Sequence, residues 1–438
     1  MALLSPSRGH ANPQPSDGIW PELFEVPRGP VHAAVARAIA GAAFRRLPLT
    51  MRFPDGTVWG LGGPEVQVVR PDDFFLRVGR DGLIGFGEAW MVGDVTTGGL
   101  HPGGPGHHAH DTDGARVNAA TDELAAALTV MAGRMSSLVP QPLQKLRSAW
   151  KLVKPDNEEN TLGGSAENIH RHYDLSNELF SLFLDETMTY SSAWYTSPEP
   201  EDLVTAQLRK IDGILDLAGV KPGMKILEIG SGWGALAIRA AQERGAEVTT
   251  LTLSSAQKTL AEKRIAEAGF TDRIQVRLED YRTHVGQYDA VVSVEMIEAV
   301  GEKYWPQYFQ RIDALLKPGG RAALQAITIE HDRFLATRNS YTWIHKYVFP
   351  GGELPSLRAI DHALDTTSLR VTESRRIGPS YARTLEEWRH RFNDRLTEVA
   401  ELGFDETFVR MWNFYLAYCQ AGFAARYIDD YQLGLSRD

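Results

Sequence analysis

A glycine-rich turn in the middle of the chain joins an apolar segment to a helical pattern. Residues 226–229 form the apolar segment, and Gly230, Gly232 and Gly234 follow it at alternate positions. Glycine permits a tight turn and lets a ligand lie against the backbone, and the amides of the next helix can donate to that ligand. The pattern is typical of a nucleotide or nucleoside cofactor site. NAD remains a possible cofactor on this pattern, because Ala235 fits the last position of the dinucleotide-binding fingerprint.

The end of the next predicted strand separates the possible cofactors. A dinucleotide site needs an acidic residue there to bind the ribose, whereas this strand ends in Thr252 and Leu253. Thr252 and Gln257 could instead hydrogen-bond the ribose of S-adenosylmethionine (SAM), and Asp280 and Tyr281 could flank its adenine. SAM is therefore the favoured cofactor, and an NAD or nucleotide fold remains the alternative.

Two acidic residues follow the fourth predicted strand, at residues 290–294. Glu295 comes directly after the strand, and Glu298 comes three residues later. Doubly wound sheets bind ligands beyond the carboxyl ends of their strands, so both carboxylates are candidates for the chemistry. The ordinary interpretation of Glu298 is an acid that stabilises a helix start.

The elements around these residues alternate between strand-like and helical patterns. This alternation predicts an α/β fold with a doubly wound, mostly parallel sheet, preceded by a smaller N-terminal α+β domain. The predicted strands of the sheet are residues 225–229, 248–253, 274–278, 290–294 and 321–327, and two of the helices between them are 235–244 and 255–268.

Composition shifts divide the chain into four parts. We expect a loose tail at residues 1–18, an accessory domain at 19–140, a basic linker at 141–167 and the catalytic domain at 168–438. Within the linker, residues 143–154 carry Lys145, Arg147, Lys151 and Lys154 with apolar residues and no acid. Such a segment can lie on an anionic bilayer or can be a plain solvated linker.

Overall charge and cysteine usage exclude several classes of protein. The 46 Lys and Arg against 56 Asp and Glu give a net charge of −10, which argues against a nucleic-acid partner. One cysteine, Cys419, excludes a disulfide framework.

No apolar run reaches the roughly 18 residues of a membrane span, and the N-terminus does not resemble a signal peptide, so we expect a cytoplasmic location. No resident metal is expected, and the histidine-rich loop at 98–113 is interpreted as a surface insertion.

Several motifs together carry a resemblance to a known family. They are Tyr173-Asp-Leu-Ser-Asn-Glu-Leu-Phe, Met188-Thr-Tyr190-Ser-Ser192, the glycine turn, Thr252-Leu-Ser-Ser-Ala-Gln257 and Phe349-Pro-Gly-Gly-Glu-Leu-Pro-Ser356. As a set they resemble the cyclopropane-fatty-acyl-phospholipid synthase and mycolic-acid methyltransferase family. Residues 82–90, 294–301, 325–328 and 342–350 are most similar to the actinobacterial branch that makes tuberculostearic-type, mid-chain methyl-branched lipids.

The resemblance implies a Rossmann-like class I SAM-dependent methyltransferase that acts on cis double bonds of acyl chains. It puts Glu298 ahead of Glu295 as the active-site acid and Tyr381 at the active-site tyrosine. It implies that the SAM site is lined by Tyr190, Ser191, Gly230, Gly232, Gly234, Thr252, Leu253, Gln257, Asp280 and Tyr281.

Two departures from the family pattern bear on the product. The synthases usually have Cys where this chain has Ser192 and His where it has Gln325, and there these residues help to hold a bicarbonate that takes the proton. Ser and Gln can also donate to an anion, so bicarbonate remains a candidate cofactor of altered geometry. We therefore expect Ser192 and Gln325 to favour an exocyclic methylene over a cyclopropane.

The resulting prediction is C-methylation of an oleoyl-type chain in a membrane phospholipid, giving a 10-methylene-type product that a separate reductase could convert to a methyl branch. The alternatives are a cyclopropane synthase acting on the same substrate, a small-molecule methyltransferase and a lipid-binding protein without activity. By analogy with the synthases, the N-terminal domain would hold lipid or join protomers of a homo-oligomer, and the enzyme would lie on the inner face of the membrane. Aromatic candidates for stabilising a cationic intermediate are Tyr190, Trp194, Tyr341, Trp343, Tyr347 and, foremost, Tyr381.

Overall fold

The structure, a computed structural model, describes residues 20–100, 113–138, 176–197 and 200–437. Three sequence predictions lie wholly or largely outside these ranges. They concern the N-terminal tail, the histidine-rich loop and the basic segment at 143–154. The motif that begins at Tyr173 is described from residue 176 onward.

The described residues form the following strands: β1 (Thr50–Arg52), β2 (Val58–Gly60), β3 (Glu65–Val68), β4 (Val95–Thr96), β5 (Lys225–Ile229), β6 (Glu247–Thr252), β7 (Ile274–Leu278), β8 (Tyr288–Val294), β9 (Leu316–Ile329), β10 (Leu369–Arg376) and β11 (Ile428–Arg437). The α-helices are α1 (Pro30–Phe44), α2 (Pro71–Asp81), α3 (Leu83–Met91), α4 (Gly114–Leu138), α5 (Asn177–Phe183), α6 (Leu203–Leu217), α7 (Ala235–Arg244), α8 (Ser255–Glu267), α9 (Trp305–Leu315), α10 (His331–Thr337), α11 (Trp343–Tyr347), α12 (Leu357–Leu364), α13 (Gly378–Asn393), α14 (Leu396–Glu401) and α15 (Glu406–Ala424). Short 3-10 turns occupy Pro21–Phe24, Ile297–Ala299 and Glu302–Tyr304.

Internal contacts divide the chain into two compact units. Unit 1 takes the described residues up to Lys154 together with Ser340–Val348 and Leu385–Tyr427, and unit 2 takes the remainder. The sequence analysis assigned all of 168–438 to one catalytic domain, so the structure differs in giving two later segments to unit 1. The physical reason is the long apolar helix α15, which packs on α4 and α3 of unit 1.

Unit 1 is built on a small mixed sheet in the order β2-β1-β3-β4. Strand β1 pairs with β2 in antiparallel and with β3 in parallel orientation. Helix α15 is buried along residues 408–417. The predicted α+β character of this region is therefore present, with helices from the C-terminal half added to it.

Unit 2 contains a seven-stranded sheet in the order β10-β11-β9-β8-β5-β6-β7. The strands from β7 to β9 are parallel, whereas β11 lies antiparallel between β9 and β10. Strands β5 and β7 have the bounds that the sequence predicts. Strand β5 is central and almost wholly buried, as expected for a strand covered on both faces, whereas β7 lies at the edge of the sheet, where buried Ile274 and Val276 alternate with more exposed Gln275 and Arg277. Strands β10 and β11 were not predicted. Strand β10 is polar and exposed along almost its whole length, and buried polar residues interrupt the apolar pattern of β11.

The core of unit 2 lies between this sheet and the helices on its faces. Ile226, Val248, Val292 and Ala323 meet the apolar faces of α6 and α7 there. Burial of this kind contributes about 25 cal/mol per Å² of apolar surface and fixes the strand ends that carry the site. Within the described ranges, no helix combines the length and the apolar character needed to cross a membrane.

Candidate active site

A crevice opens at the carboxyl ends of the central strands of unit 2. Nine of the ten residues predicted for the SAM site line it: Tyr190, Ser191, Gly230, Gly232, Thr252, Leu253, Gln257, Asp280 and Tyr281. Gly234 is the exception, because it lies at the start of α7, where an added Cβ would contact Ala261. The structure therefore brings together residues from three successive strand ends, as the sequence analysis expected.

The glycine turn is shaped by backbone conformations that favour glycine. Gly230 has φ +95°, and a Cβ there would lie 2.6 Å from Cγ of Met296. Gly232 has φ +48°, and a Cβ there would meet no described atom within 4 Å. The amides of Gly230 and Ser231 donate to the carbonyl of Leu251 at 3.0 and 2.9 Å. The turn is thus fixed to β6 and leaves open space beside Gly232.

The polar residues after β6 form a hydrogen-bonded group. The Thr252 hydroxyl donates to the side-chain Oε1 of Gln257 at 2.8 Å, and the Ser254 hydroxyl accepts from the main-chain amide of Gln257 at 3.2 Å. Ser254 is the N-cap of α8, a preferred role for serine. This cap fixes Gln257 beside Thr252 at the crevice, which is the pair proposed for a ribose.

The two residues proposed to flank an adenine are held by neighbouring side chains. Asp280 accepts from the Arg282 guanidinium at 2.6 and 2.9 Å. The Tyr281 ring packs edge-on against Tyr308 at 5.3 Å between centroids, and burial raises the pKa of its phenol. Tyr281 is therefore a neutral, rigid aromatic wall of the crevice.

Two buried ionisable residues also line the crevice, and the sequence analysis assigned neither. Glu228 ends β5 with 4% of its surface exposed, and among the described residues no group hydrogen-bonds its Oε2. Burial raises the pKa of Glu228 to about 8. Lys210 on α6 is 1% exposed, and its ammonium donates to the Ser191 hydroxyl. Burial lowers the pKa of Lys210 to about 8, although the charges of nearby carboxylates oppose this.

Glu295 is the centre of the hydrogen bonds next to the crevice. Its Oε1 accepts from the Ser192 main-chain amide and from Nε2 of Gln325, both at 2.8 Å, and its Oε2 accepts from the Tyr381 hydroxyl at 2.7 Å. Burial raises the pKa of Glu295, whereas the Lys210 charge and these three donors act in the opposite direction. Three of the four predicted catalytic residues thus converge on a carboxylate that was the second choice.

Glu298, the predicted catalytic acid, does not receive any of these three hydrogen bonds. Its Oε1 accepts from the Ile327 amide at 2.5 Å, and no described group hydrogen-bonds its buried Oε2. Burial and the adjacent Glu295 charge raise the pKa of Glu298 to about 8. The three hydrogen bonds therefore converge on Glu295, which directly follows β8, and not on Glu298, which the resemblance ranked first and which lies within a 3-10 turn.

The side chain and the main chain of Ser192 make different hydrogen bonds. Its hydroxyl donates to the Ala193 carbonyl at 2.8 Å, and the main-chain amide is the group that donates to Glu295. The segment is held in place by Gln207, whose Nε2 donates to the Ser191 carbonyl at 2.9 Å. A Cys-to-Ser difference at this position therefore leaves the donor to the carboxylate unchanged.

The backbone at Glu295 is strained. Its φ of +49° lies in the left-handed region, which is uncommon for a non-glycine residue and costs of order 1–3 kcal/mol. The Glu295 amide donates to the carbonyl of Gln325 at 2.8 Å, which holds this conformation at the end of the β8–β9 pair. The strain directs the carboxylate toward donors from three separate elements.

A third buried carboxylate completes the group. Asp430 on β11 is fully buried, and its Oδ2 accepts from Nε2 of Gln325 at 3.0 Å. Burial and the charges of Glu295 and Glu298 raise the pKa of Asp430 well above its ordinary value. No sequence pattern indicated Asp430 or Lys210, because both come from elements whose contact with this site depends on the sheet order.

The aromatic candidates for stabilising a cation divide between the units. Tyr190 lines the crevice and packs on Phe180 at 5.0 Å between centroids. The Trp194 ring is covered by the Arg375 guanidinium at 4.4 Å, so that face is already occupied by a cation. Tyr341, Trp343 and Tyr347 belong to unit 1.

Comparison with known proteins gives a consistent result. A family model described as mycolic acid cyclopropane synthetase matches residues 161–433. The tuberculostearic acid methyltransferase UfaA1 of Mycobacterium tuberculosis is 47% identical over 433 residues, covering 96% of this chain and 95% of that protein. The cyclopropane-fatty-acyl-phospholipid synthase of Escherichia coli K12 is 33% identical over 86% of this chain and 89% of its own length.

Solved structures extend the similarity to the fold. The cyclopropane synthase MmaA2 from Mycobacterium tuberculosis matches with a TM-score of 0.58 and 31% identity, over 62% of this chain and 98% of that chain. The mycolic acid cyclopropane synthase CmaA1, solved with SAH and CTAB, matches with a TM-score of 0.58 and 29% identity, over 65% of this chain and 99% of that chain.

Proposed function

The chain belongs to the mycolic acid cyclopropane synthetase family, and from that premise we propose that it methylates the cis double bond of an oleoyl-type phospholipid chain to give a methylene branch. It is a SAM-dependent methyltransferase of the class I fold, with fatty acyl chains as its substrate class. The observation that carries the finer proposal is the convergence of Ser192, Gln325 and Tyr381 on the Glu295 carboxylate.

The crevice residues fit SAM. Gly232 leaves open space at the turn. The buried Oε2 of Glu228 has no hydrogen-bond donor among the described residues, and it could accept a hydrogen bond from the ammonium group of the cofactor. Thr252 and Gln257 would hold the ribose, and Tyr281 would contact the adenine. When bound, SAM supplies an electrophilic methyl group to the alkene, and the protein's task is to align the two carbons with it.

Glu295 is the group proposed to take the proton that is lost from the substrate. Three hydrogen-bond donors and the Lys210 cation favour its charged form over that of Glu298, whose described partner is one main-chain amide. Its raised pKa makes it a stronger base than an ordinary carboxylate, which is useful for general-base catalysis near neutral pH. The Glu295 charge contributes to the raised pKa values of Glu298 and Asp430, so the charged form of Glu295 disfavours ionisation of these two neighbours.

Bicarbonate does not fit this arrangement. The resemblance implied that residues at the positions of Ser192, Gln325 and Tyr381 hold it, but in this chain these three residues already donate to Glu295. A second anion at that point would meet a buried carboxylate and lose those donors. The proposal therefore assigns proton removal to a side chain of the protein.

A base fixed to the protein is the proposed reason for a methylene product. Proton loss from the added methyl group with ring closure gives a cyclopropane, whereas a hydride shift first, followed by proton loss from the same methyl group, gives an exocyclic methylene. The test is to express the chain in a host rich in oleoyl phospholipid and to analyse the lipids by mass spectrometry and NMR. A methylene-branched chain is expected, and cyclopropane as the sole product would refute this part of the proposal.

The wider setting is proposed on the same premise. The phospholipid substrate lies in a membrane, so we propose peripheral contact with the inner face, and a separate reductase would convert the methylene to a methyl branch. Transfer of tritium from labelled SAM into oleoyl phospholipid vesicles tests the substrate class directly. Label in a small soluble acceptor, with none in lipid, would favour the small-molecule alternative.

A further inference from the structure

Helix α1 carries an exposed apolar stripe along one face. Val31 is 72% exposed and Val35 is 40% exposed, and Ala34, Ala38 and Ala42 are also exposed. The spacing of these residues places them on the same side of a helix. A helix of a folded protein normally turns its apolar face toward the core, so this outward stripe requires a partner.

The charge around the stripe is predominantly positive. Residues 22–55 contain Arg28, Arg37, Arg45, Arg46 and Arg52 against the acidic Glu22, Glu25 and Asp55, in a chain whose net charge is −10. The first four arginines are exposed and lie beside or within α1. Arg45 also covers the Trp59 ring at 5.3 Å from its centroid, so its cation is held close to the end of the stripe.

Apolar residues before the helix extend the surface. Phe24 and Val26 are each 40% exposed, and they directly precede Arg28. Exposed apolar side chains with arginines nearby can enter the headgroup boundary of an anionic bilayer, where the arginines meet the headgroups.

We propose that α1, with Phe24 and Val26 before it, is a docking surface for an anionic phospholipid membrane. The inference rests on the proposed function in one respect, because a substrate in a bilayer explains why the enzyme needs such a surface. Charge complementarity selects the occupant: the arginines match anionic headgroups and the stripe matches acyl chains. This surface is separate from the basic segment at 143–154, which lies outside the described residues.

The test compares the full-length wild-type chain with V31E/V35E in cosedimentation with vesicles of dioleoyl phosphatidylglycerol. Both positions are exposed, and glutamate is a good helix former, so the variant should fold with an unchanged melting curve. We expect its partition onto vesicles to fall about tenfold or more, from lost apolar burial and added repulsion. The matched control is V285E, since Val285 is 77% exposed in unit 2, and its partition should stay within about twofold of wild type.

Two further measurements separate the outcomes. Methyl transfer by V31E/V35E should fall on vesicles and stay unchanged on oleoyl phospholipid dispersed in detergent micelles, whereas equal vesicle binding by the two proteins would overturn the inference. A change from dimer to monomer in lipid-free ultracentrifugation of the variant would also overturn it, because the face would then join copies of this chain. Vesicle binding through α1 by a wild-type chain that transfers no methyl group would refute the proposed function and leave this inference intact.

Discussion

The Tyr381 hydroxyl donates a 2.7 Å hydrogen bond to Oε2 of Glu295, a residue 86 positions earlier in the chain. The other oxygen of the same carboxylate accepts from Ser192 and Gln325. The carboxylate is therefore fixed by α13, β9 and the segment before α6. A base held this firmly has a fixed position relative to the reacting carbons of an acyl chain.

Glu295→Gln and Glu298→Gln should have unequal effects. Removing a general base typically costs about 10²–10⁴-fold in rate, so we expect a loss of this size in kcat for Glu295→Gln. Glu298→Gln can still accept from the Ile327 amide and should keep kcat within roughly fivefold of wild type, because it removes no base. Single-turnover methyl transfer to oleoyl phospholipid measures both. An inactive Glu298→Gln beside an active Glu295→Gln would restore the assignment that the sequence favoured.

Glu295→Gly should be rescued by a small carboxylate. Glycine accepts the φ of +49° at this position, and the substitution leaves the Ser192, Gln325 and Tyr381 donors without their carboxylate. Added formate or bicarbonate should therefore restore part of the lost activity in a concentration-dependent manner. Glu295→Gln, whose side chain still fills the position, is the control and should not respond. Equal responses of the two variants would argue against an anion position at this point.

Tyr381→Phe should move the acidic limb of the pH–rate profile upward. The Tyr381 hydrogen bond lowers the pKa of Glu295, so its loss raises that pKa, and the base becomes protonated at a higher pH. The activity of the wild type falls as the pH drops through the pKa of Glu295. The variant should lose its activity at a higher pH than the wild type. The measurement is kcat/KM against pH. Tyr288→Phe, which removes a buried hydroxyl bonded to His284, should leave the profile in place.

Gly232→Ala should weaken cofactor binding more than it weakens the fold. A Cβ at φ +48° costs about 1–2 kcal/mol of stability, and the methyl group would occupy open space beside the proposed cofactor. Gly269→Ala is the matched control, because it has φ +80° and equally open surroundings but does not line the crevice. Thermal unfolding should show similar losses for both variants. Calorimetry with S-adenosylhomocysteine should show reduced affinity for Gly232→Ala alone.

Much of the fold of unit 2 and most of the cofactor crevice were predictable from local sequence. Strand β5 is a nearly continuous apolar run and β7 alternates apolar with polar residues, and both are strand patterns that the sequence shows locally, so both strands could be located to the residue. The glycine turn and the Thr252–Gln257 cap are local motifs, since their geometry depends on neighbours within a few positions. For the same reason, nine of the ten predicted crevice residues lie where the sequence analysis placed them.

The identity of the carboxylate at the centre of the site depended on tertiary structure. The sequence offered Glu295 and Glu298 three residues apart, and local pattern gives no reason to choose between them. The choice is made by the left-handed backbone at Glu295 and by donors that arrive from α13 and β9. The buried Asp430 likewise reaches the site because β11 lies beside β9, and Lys210 reaches it because α6 packs on β9 and β11. Local propensity determines where strands end, but the order in which strands and helices pack determines which side chains meet there.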